Sequence, residues 1–158
     1  MNERTWLSAY LIERTARLLK QKFARLLYDN DIPLTVDQWI VLRELEQGNG
    51  ITQLELSRIC HKDAATLTRI LDLLESKTFL KRVPNSKDRR SFHIYITETG
   101  KKWVDQIWPL VFGFREESFE GIPLTDLIIL DAVLNRIYDN LSGVAKNIDT
   151  DKKLKESH

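Results

Sequence analysis

Residues 52 to 102 constrain this chain more than any other stretch, because two short capped helices, a strand, a cationic tip and a second strand follow one another with almost no spacer. Thr52 and Glu55 stand at capping-box spacing, so they can satisfy amide donors that the first turn of a helix leaves free. That helix is short and ends near Cys60 and His61. Asp63 can cap the next, roughly Ala64 to Lys77, in which Leu67, Ile70, Leu71 and Leu74 fall at i, i+3, i+4 and i+7. At about 100° per residue the opposite side presents Ala65, Thr68, Arg69, Asp72 and Ser76, with Thr66 and Leu73 on its flank. Phe79 to Val83 reads as a strand, and Phe92, Ile94 and Ile96 alternate with His93 and Tyr95 in another, with Pro84 to Ser91 as the tip between them. Two helices followed by a cationic hairpin are the parts of a winged helix-turn-helix. They predict a mainly α fold with a small antiparallel β wing.

Longer helical patterns flank this unit. Leu7, Leu11, Leu18, Leu19, Phe23 and Leu26 lie at mostly helical spacing before the breaker Asp29-Asn30-Asp31-Ile32-Pro33. A second helix starts at a Thr35/Gln38 capping box and turns Trp39, Leu42 and Leu45 inward before Gly48-Asn49-Gly50. Beyond the wing, Thr97 can cap a long helix carrying Trp103, Ile107, Trp108, Leu110 and Phe112. Pro109 lies inside it, and its missing donor predicts a kink near Trp108. After Gly121-Ile122-Pro123, a last helix over about 124–147 places Leu127, Leu130, Leu134, Ile137 and Leu141 at the alternating three- and four-residue spacing of a helix-packing seam. The expected division is therefore 1–34, an N-terminal helix, 35–97, the winged unit, and 98–147, the C-terminal helices. A polar, Lys-rich tail over 148–158 is expected to be disordered. The seam, with Leu7 and Leu11 of the first helix, is the expected dimerisation surface.

The net charge of +1 hides an uneven distribution: residues 1–61 are balanced, 62–102 hold ten Lys and Arg against five Asp and Glu, and 103–158 hold six against ten. A cationic patch of this kind favours a polyanion, although an acidic protein or a lipid headgroup would answer to charge alone. One cysteine, Cys60, excludes an intrachain disulfide and fits a reducing compartment. The N-terminus lacks a signal-peptide apolar core and no run reaches membrane-spanning length, so a cytoplasmic protein with no membrane partner is expected. His61, His93 and His158 are scattered, and no metal or cofactor is expected. There is no phosphate-binding G-x-x-x-x-G-K-[ST] loop, no G-x-G-x-x-G and no G-x-S-x-G, so no enzymatic activity is expected.

A helix that enters the major groove must be thin-sided near the bases and carry a long donor. Ala65, Thr66, Thr68 and Arg69 meet that need: the hydroxyls suit phosphates or base edges, and Arg69 can fork onto guanine or phosphate. Exposed Thr and Arg ordinarily mean only a solvated helix face; the neighbouring hairpin changes the reading. Within residues 81–90, Lys81, Arg82, Lys87, Arg89 and Arg90 stand against one acid, Asp88. Arginine suits a narrow minor groove, and Asp88 is placed to aim Arg90 by a charge-assisted hydrogen bond.

The segment ELSRICHKDAATLTRILDLLESKTFLKRVPNSKDRRSFHIYITETGKK, with its D-x-R-S wing signature at Asp88, Arg90 and Ser91, resembles the core of the MarR-type (multiple antibiotic resistance regulator) transcriptional regulators. The upstream LTVDQWIVL and the ITETG after the wing are similar to that family too, and the resemblance spans residues 5–147. It implies a two-fold homodimer with intertwined terminal helices and one recognition helix per major-groove half-site. It further implies that Arg90 enters the minor groove beside Asp88, with Lys87 and Arg89 at the same tip. Ala65, Thr66, Thr68 and Arg69 would lie at bases and phosphates, and Thr52 and Gln53 would meet the DNA backbone. The implied function is a sequence-specific regulator, of repressor type, that an effector releases from a pseudo-palindromic operator in double-stranded DNA.

Three residues depart from the family pattern: Thr78 stands where a glycine usually turns the chain, Leu73 is apolar on a commonly polar flank, and Asp72 brings negative charge toward the groove. Some family members sense oxidants through a first-helix cysteine; here that helix has none, and Cys60 reads as a buried, inert thiol. Many relatives bind small aromatic or carboxylate effectors between the dimerisation helices and the winged unit. Trp6, Tyr10, Trp39, Trp103 and Trp108 are the candidates here, although aromatics at helical spacing are more often plain core. The competing function is a winged-helix protein-interaction module that meets an acidic partner and no DNA.

Overall fold

A computed structural model describes residues 3–86 and 91–142. Six helices and three short strands are formed among them: α1 (Glu3–Asp29), α2 (Val36–Gln47), β1 (Ile51–Thr52), α3 (Gln53–Ile59), α4 (Ala64–Ser76), β2 (Leu80–Pro84), β3 (Phe92–Ile96), α5 (Glu98–Ser118) and α6 (Leu124–Ser142). Both capping boxes are made. The Thr35 hydroxyl accepts from Gln38 N–H at 3.2 Å and the Gln38 side chain accepts from Thr35 N–H at 3.1 Å, with Thr52 and Glu55 repeating the exchange at α3. Gln38 is consequently a buried polar residue with its acceptor satisfied.

The antiparallel sheet has three strands in the order β1-β3-β2, one more than the expected hairpin. β1 is two residues long, and its alignment depends on the preceding turn. Gly50 N–H donates to the Ile94 carbonyl at 2.9 Å, and the Asn49 side-chain oxygen accepts from Ile96 N–H at 3.0 Å. Gly50 has φ +83°, and a Cβ there would lie 2.8 Å from the Tyr95 ring. The Gly48-Asn49-Gly50 breaker thus delivers a third strand. Strand β2 starts at Leu80 rather than Phe79 and continues to Pro84, which pairs with Phe92 on the outer edge where a missing donor is tolerated.

The described residues up to Arg115 form one compact unit and those from Glu116 another. The core of the first joins Leu27 of α1, Trp39, Val41, Leu42 and Leu45 of α2, Leu56 of α3, Leu67, Leu71 and Leu74 of α4, Leu80 and Ile94 of the sheet, and Val104 and Ile107 of α5. The four α4 positions predicted to face inward, Leu67, Ile70, Leu71 and Leu74, are all buried. In α1 only Phe23 and Leu27 are buried, and α6 in the second unit buries nothing. Helix α5 continues through Pro109. No helix among the described residues is long and apolar enough to cross a membrane.

The join between α4 and the sheet is tight. Thr78 N–H donates to Glu75 O at 2.8 Å and Phe79 N–H to Leu74 O at 2.9 Å, with Thr78 at φ +63°, the left-handed helix ending usually filled by glycine. The start of α5 closes over it: the Thr97 hydroxyl donates to Thr78 O at 2.7 Å and accepts from Gly100 N–H at 3.1 Å. A Cβ on Gly100 would come within 2.1 Å of the Phe79 carbonyl oxygen.

Candidate nucleic-acid interface

Helix α4 is launched by Asp63, whose carboxylate accepts from Thr66 N–H at 2.8 Å and from the Thr66 hydroxyl at 2.6 Å. Those two bonds, the hydroxyl's first, hold the Asp63 carboxyl below the usual carboxylate range. Ala65, Thr66 and Arg69 are exposed on the outer face, and Thr68 is half-buried beside α3. The Thr68 hydroxyl donates to Ala64 O at 2.7 Å and accepts from the Gln53 side-chain amide at 2.7 Å. A hollow of about 590 Å³ brings Thr52, Gln53, Leu54 and Ser57 together with Ala64 at the start of α4 and Ser91 and Phe92 at the base of the wing.

Several of the expected contact residues also have partners within the unit itself. The polar groups of Thr52, Gln53, Thr66 and Thr68 are engaged inside the helix-turn-helix, because caps and the α3–α4 contact use the same short hydroxyls that suit a groove. Ala65, Thr66 and Arg69 are the exposed residues of the outward face, and Thr66 there is also tied to Asp63. Lys87, Asp88, Arg89 and Arg90 lie outside the described residues, as do 143–158. Arg82, counted with the cationic tip from sequence, instead turns onto α4 and pairs with Asp72 at 2.7 Å and Glu75 at 2.5 Å. Its partner Asp72 is therefore not a bare negative charge aimed at a groove. No local pattern marks this arginine as different from its neighbours; the signal lies in two acids three residues apart on α4.

A second polar cluster joins α1, α2 and the loop before α4. Asp37 accepts from Lys62 at 2.8 Å and from Lys20 at 3.0 Å. Burial alone would raise its carboxyl, but the two lysines outweigh it and hold the group below its ordinary range. Sequence reasoning missed all three, since their spacing of 17 and 25 residues has no periodic signature.

The five aromatic effector candidates separate into three sites. Trp6 and Tyr10 stack on each other at 5.8 Å on the exposed face of α1, and Trp103 lies against Phe79. Trp39 is buried between the edges of Phe23 and Trp108, with the Arg43 guanidinium over its ring. Trp39 Nε1 and Arg43 Nε, one helical turn apart, are buried donors with no acceptor among the described residues. Cys60 is half-buried, and burial followed by the Glu44 carboxylate pushes its thiol up to about 11, which keeps it protonated and unreactive near neutrality.

A helix-turn-helix backed by a three-stranded sheet, with an outward helix face beside the root of a cationic hairpin, defines a winged-helix protein. The MarR family model matches residues 34–92, which run from the start of α2 through the wing to β3. The multiple antibiotic resistance protein MarR of Escherichia coli is 28% identical over 127 residues, 78% of this chain and 88% of that protein. The structure of a mutant E. coli MarR complexed with operator DNA superposes with a TM-score of 0.71 at 27% identity, covering 82% of this chain and 95% of that one. AbsC of Streptomyces coelicolor, at 20% identity, shares the fold with a TM-score of 0.80 over 90% of this chain and 97% of its own. The chain thus carries a MarR-family domain over residues 34–92, and its MarR-family homologues are transcriptional regulators rather than enzymes.

Proposed function

We propose that this protein is a homodimeric repressor that binds a pseudo-palindromic operator in double-stranded DNA and leaves it when a small aromatic or carboxylate effector binds. The observation that carries the reading is the outward face of α4, where Ala65 and Arg69 are exposed, together with the hollow that joins the start of that helix to the root of the wing. The resemblance to MarR in its operator complex supports the same surface. Lys87, Asp88, Arg89 and Arg90 complete the grip in this reading, with Arg90 as the minor-groove probe. The effector seat is Trp39 with Arg43 and Trp108, where two orphaned donors match the two oxygens of a carboxylate and the indole edges match an aryl ring. Trp6, Tyr10 and Trp103 have no part in that seat.

Promoter fragments from the source genome, titrated with the full chain over a range of salt, test the function. Affinity should fall steeply and linearly on logarithmic axes as counterions are released. Arg69→Ala should change which sequences are preferred more than it changes nonspecific affinity. Benzoate, used as a probe, should release the bound duplex, and Trp39→Phe should blunt the release by removing the N–H while keeping a ring. Silence toward every fragment in dilute buffer would return the wing to an acidic protein partner.

A further inference from the structure

Arg82 belongs to the wing by sequence and to α4 by contact. Its side chain is 17% exposed because it lies across the last turns of that helix. Nη1 donates to Glu75 Oε2 at 2.5 Å, Nη2 donates to Asp72 Oδ1 at 2.7 Å, and the Arg82 backbone N–H donates to Glu75 Oε1 at 3.1 Å. One carboxylate thus holds both the main chain and the side chain of a strand residue, while a second takes the other arm of the guanidinium fork. A planar fork suits two acids on one helix face in a way that a lysine ammonium does not. One cation stands here against two carboxylates, so the cluster adds no positive charge to the surface.

We infer that Arg82 is a positioning residue for duplex recognition: a brace that fixes the wing to the reading helix, and not a phosphate contact. The inference rests on the duplex-binding reading above. Two grips that enter neighbouring grooves must be held at a set angle before contact, or the ordering is done at the expense of affinity. The covalent link between them is the three-residue turn Lys77–Thr78–Phe79, and the brace spans it from the other side.

Electrostatics and bracing predict opposite signs. Replacing Asp72 and Glu75 by their amides removes two anions beside the duplex and frees a cation, which by charge alone tightens binding and steepens its salt dependence. Bracing predicts that the double variant Asp72→Asn/Glu75→Gln, and separately Arg82→Gln, weaken binding of one chosen promoter fragment by about tenfold. The salt slope should stay that of the unaltered chain, and Arg82→Lys should recover little of the loss. Without DNA, amide hydrogen exchange along β2 and β3 should speed up in the same variants. Should Arg82→Gln not fold, the double variant, whose altered side chains are more exposed, decides the matter. Tighter binding by the double variant, or a salt slope lowered by about one in Arg82→Gln, overturns the brace and makes Arg82 a phosphate contact. If the unaltered chain binds no duplex, the recognition reading fails, and the exchange comparison still judges the brace: unchanged protection in β2 and β3 removes it.

Discussion

Thr78 closes α4 in a conformation that its own side chain disfavours. At φ +63° a β-branched residue places its Cβ against the following carbonyl, a cost of roughly 1 to 2 kcal/mol that glycine avoids. Glycine returns part of that through its larger unfolded-state freedom, leaving Thr78→Gly more stable by roughly 0.5 to 1 kcal/mol. The side chain is exposed, so no packing is lost. Urea unfolding followed by circular dichroism measures the difference, and a lower midpoint for the glycine variant would mean that the turn is not strained. Where the family pattern usually has glycine, this chain thus makes a left-handed turn with threonine. The same scale explains why the reading face was only partly legible. That Thr66 and Thr68 face outward follows from helical periodicity, but their hydroxyls are engaged by a cap carboxylate, a carbonyl and an amide that periodicity does not weigh against one another.

Between elements, the Asp37 cluster fastens α1 and the loop before α4 to the first turn of α2. The folded-state carboxyl sits below its usual range, so the stability it contributes is present above the unfolded value of about 4 and is lost as pH falls through the lower folded value. Asp37→Asn should therefore melt earlier than the unaltered chain at pH 6, with the gap closing as pH falls through the lowered folded-state value. A gap that persists in acid would assign the loss to packing. Helix α4, both capping boxes and the inward faces of α2 and α4 were readable from sequence because each is coded within one turn or one period. Strand β1 was not, since two residues carry no alternation and their place depends on Gly50 N–H reaching Ile94 O across the chain. Arg82 and Asp37 escaped for a related reason: their partners are fixed by the fold that the periodic elements build.

At the scale of the molecule, the terminal helices leave many large apolar side chains exposed. Helix α6 exposes Leu124, Ile128, Ile129, Leu130, Val133, Leu134, Tyr138 and Leu141, and its only shielded seam positions, Leu127 and Ile137, are half-buried. In α1, Trp6, Leu7, Tyr10 and Leu11 are exposed as well. A helix apolar on several sides is one that its assembly encloses, and apolar area returns about 25 cal/mol for each Å² removed from water. A second copy of the chain is the occupant proposed here, with Leu7, Leu11, Leu127, Leu130, Leu134, Ile137 and Leu141 in the shared seam. Light scattering at micromolar concentration should give about twice the 18.5 kDa of one chain. Leu130→Asp/Leu134→Asp places two charges in the seam and should halve that mass while leaving the first unit folded, since neither residue belongs to its core. In the proposed dimer the consequence would reach the DNA: two copies of α4 related by a two-fold axis would meet half-sites about one helical turn apart, whereas a single one would meet only half of a pseudo-palindrome. Altering the half-site spacing should therefore weaken the unaltered chain and leave the aspartate variant, already weak, unchanged. Equal tolerance of spacing by both would separate dimerisation from recognition and leave the α6 surface to another partner.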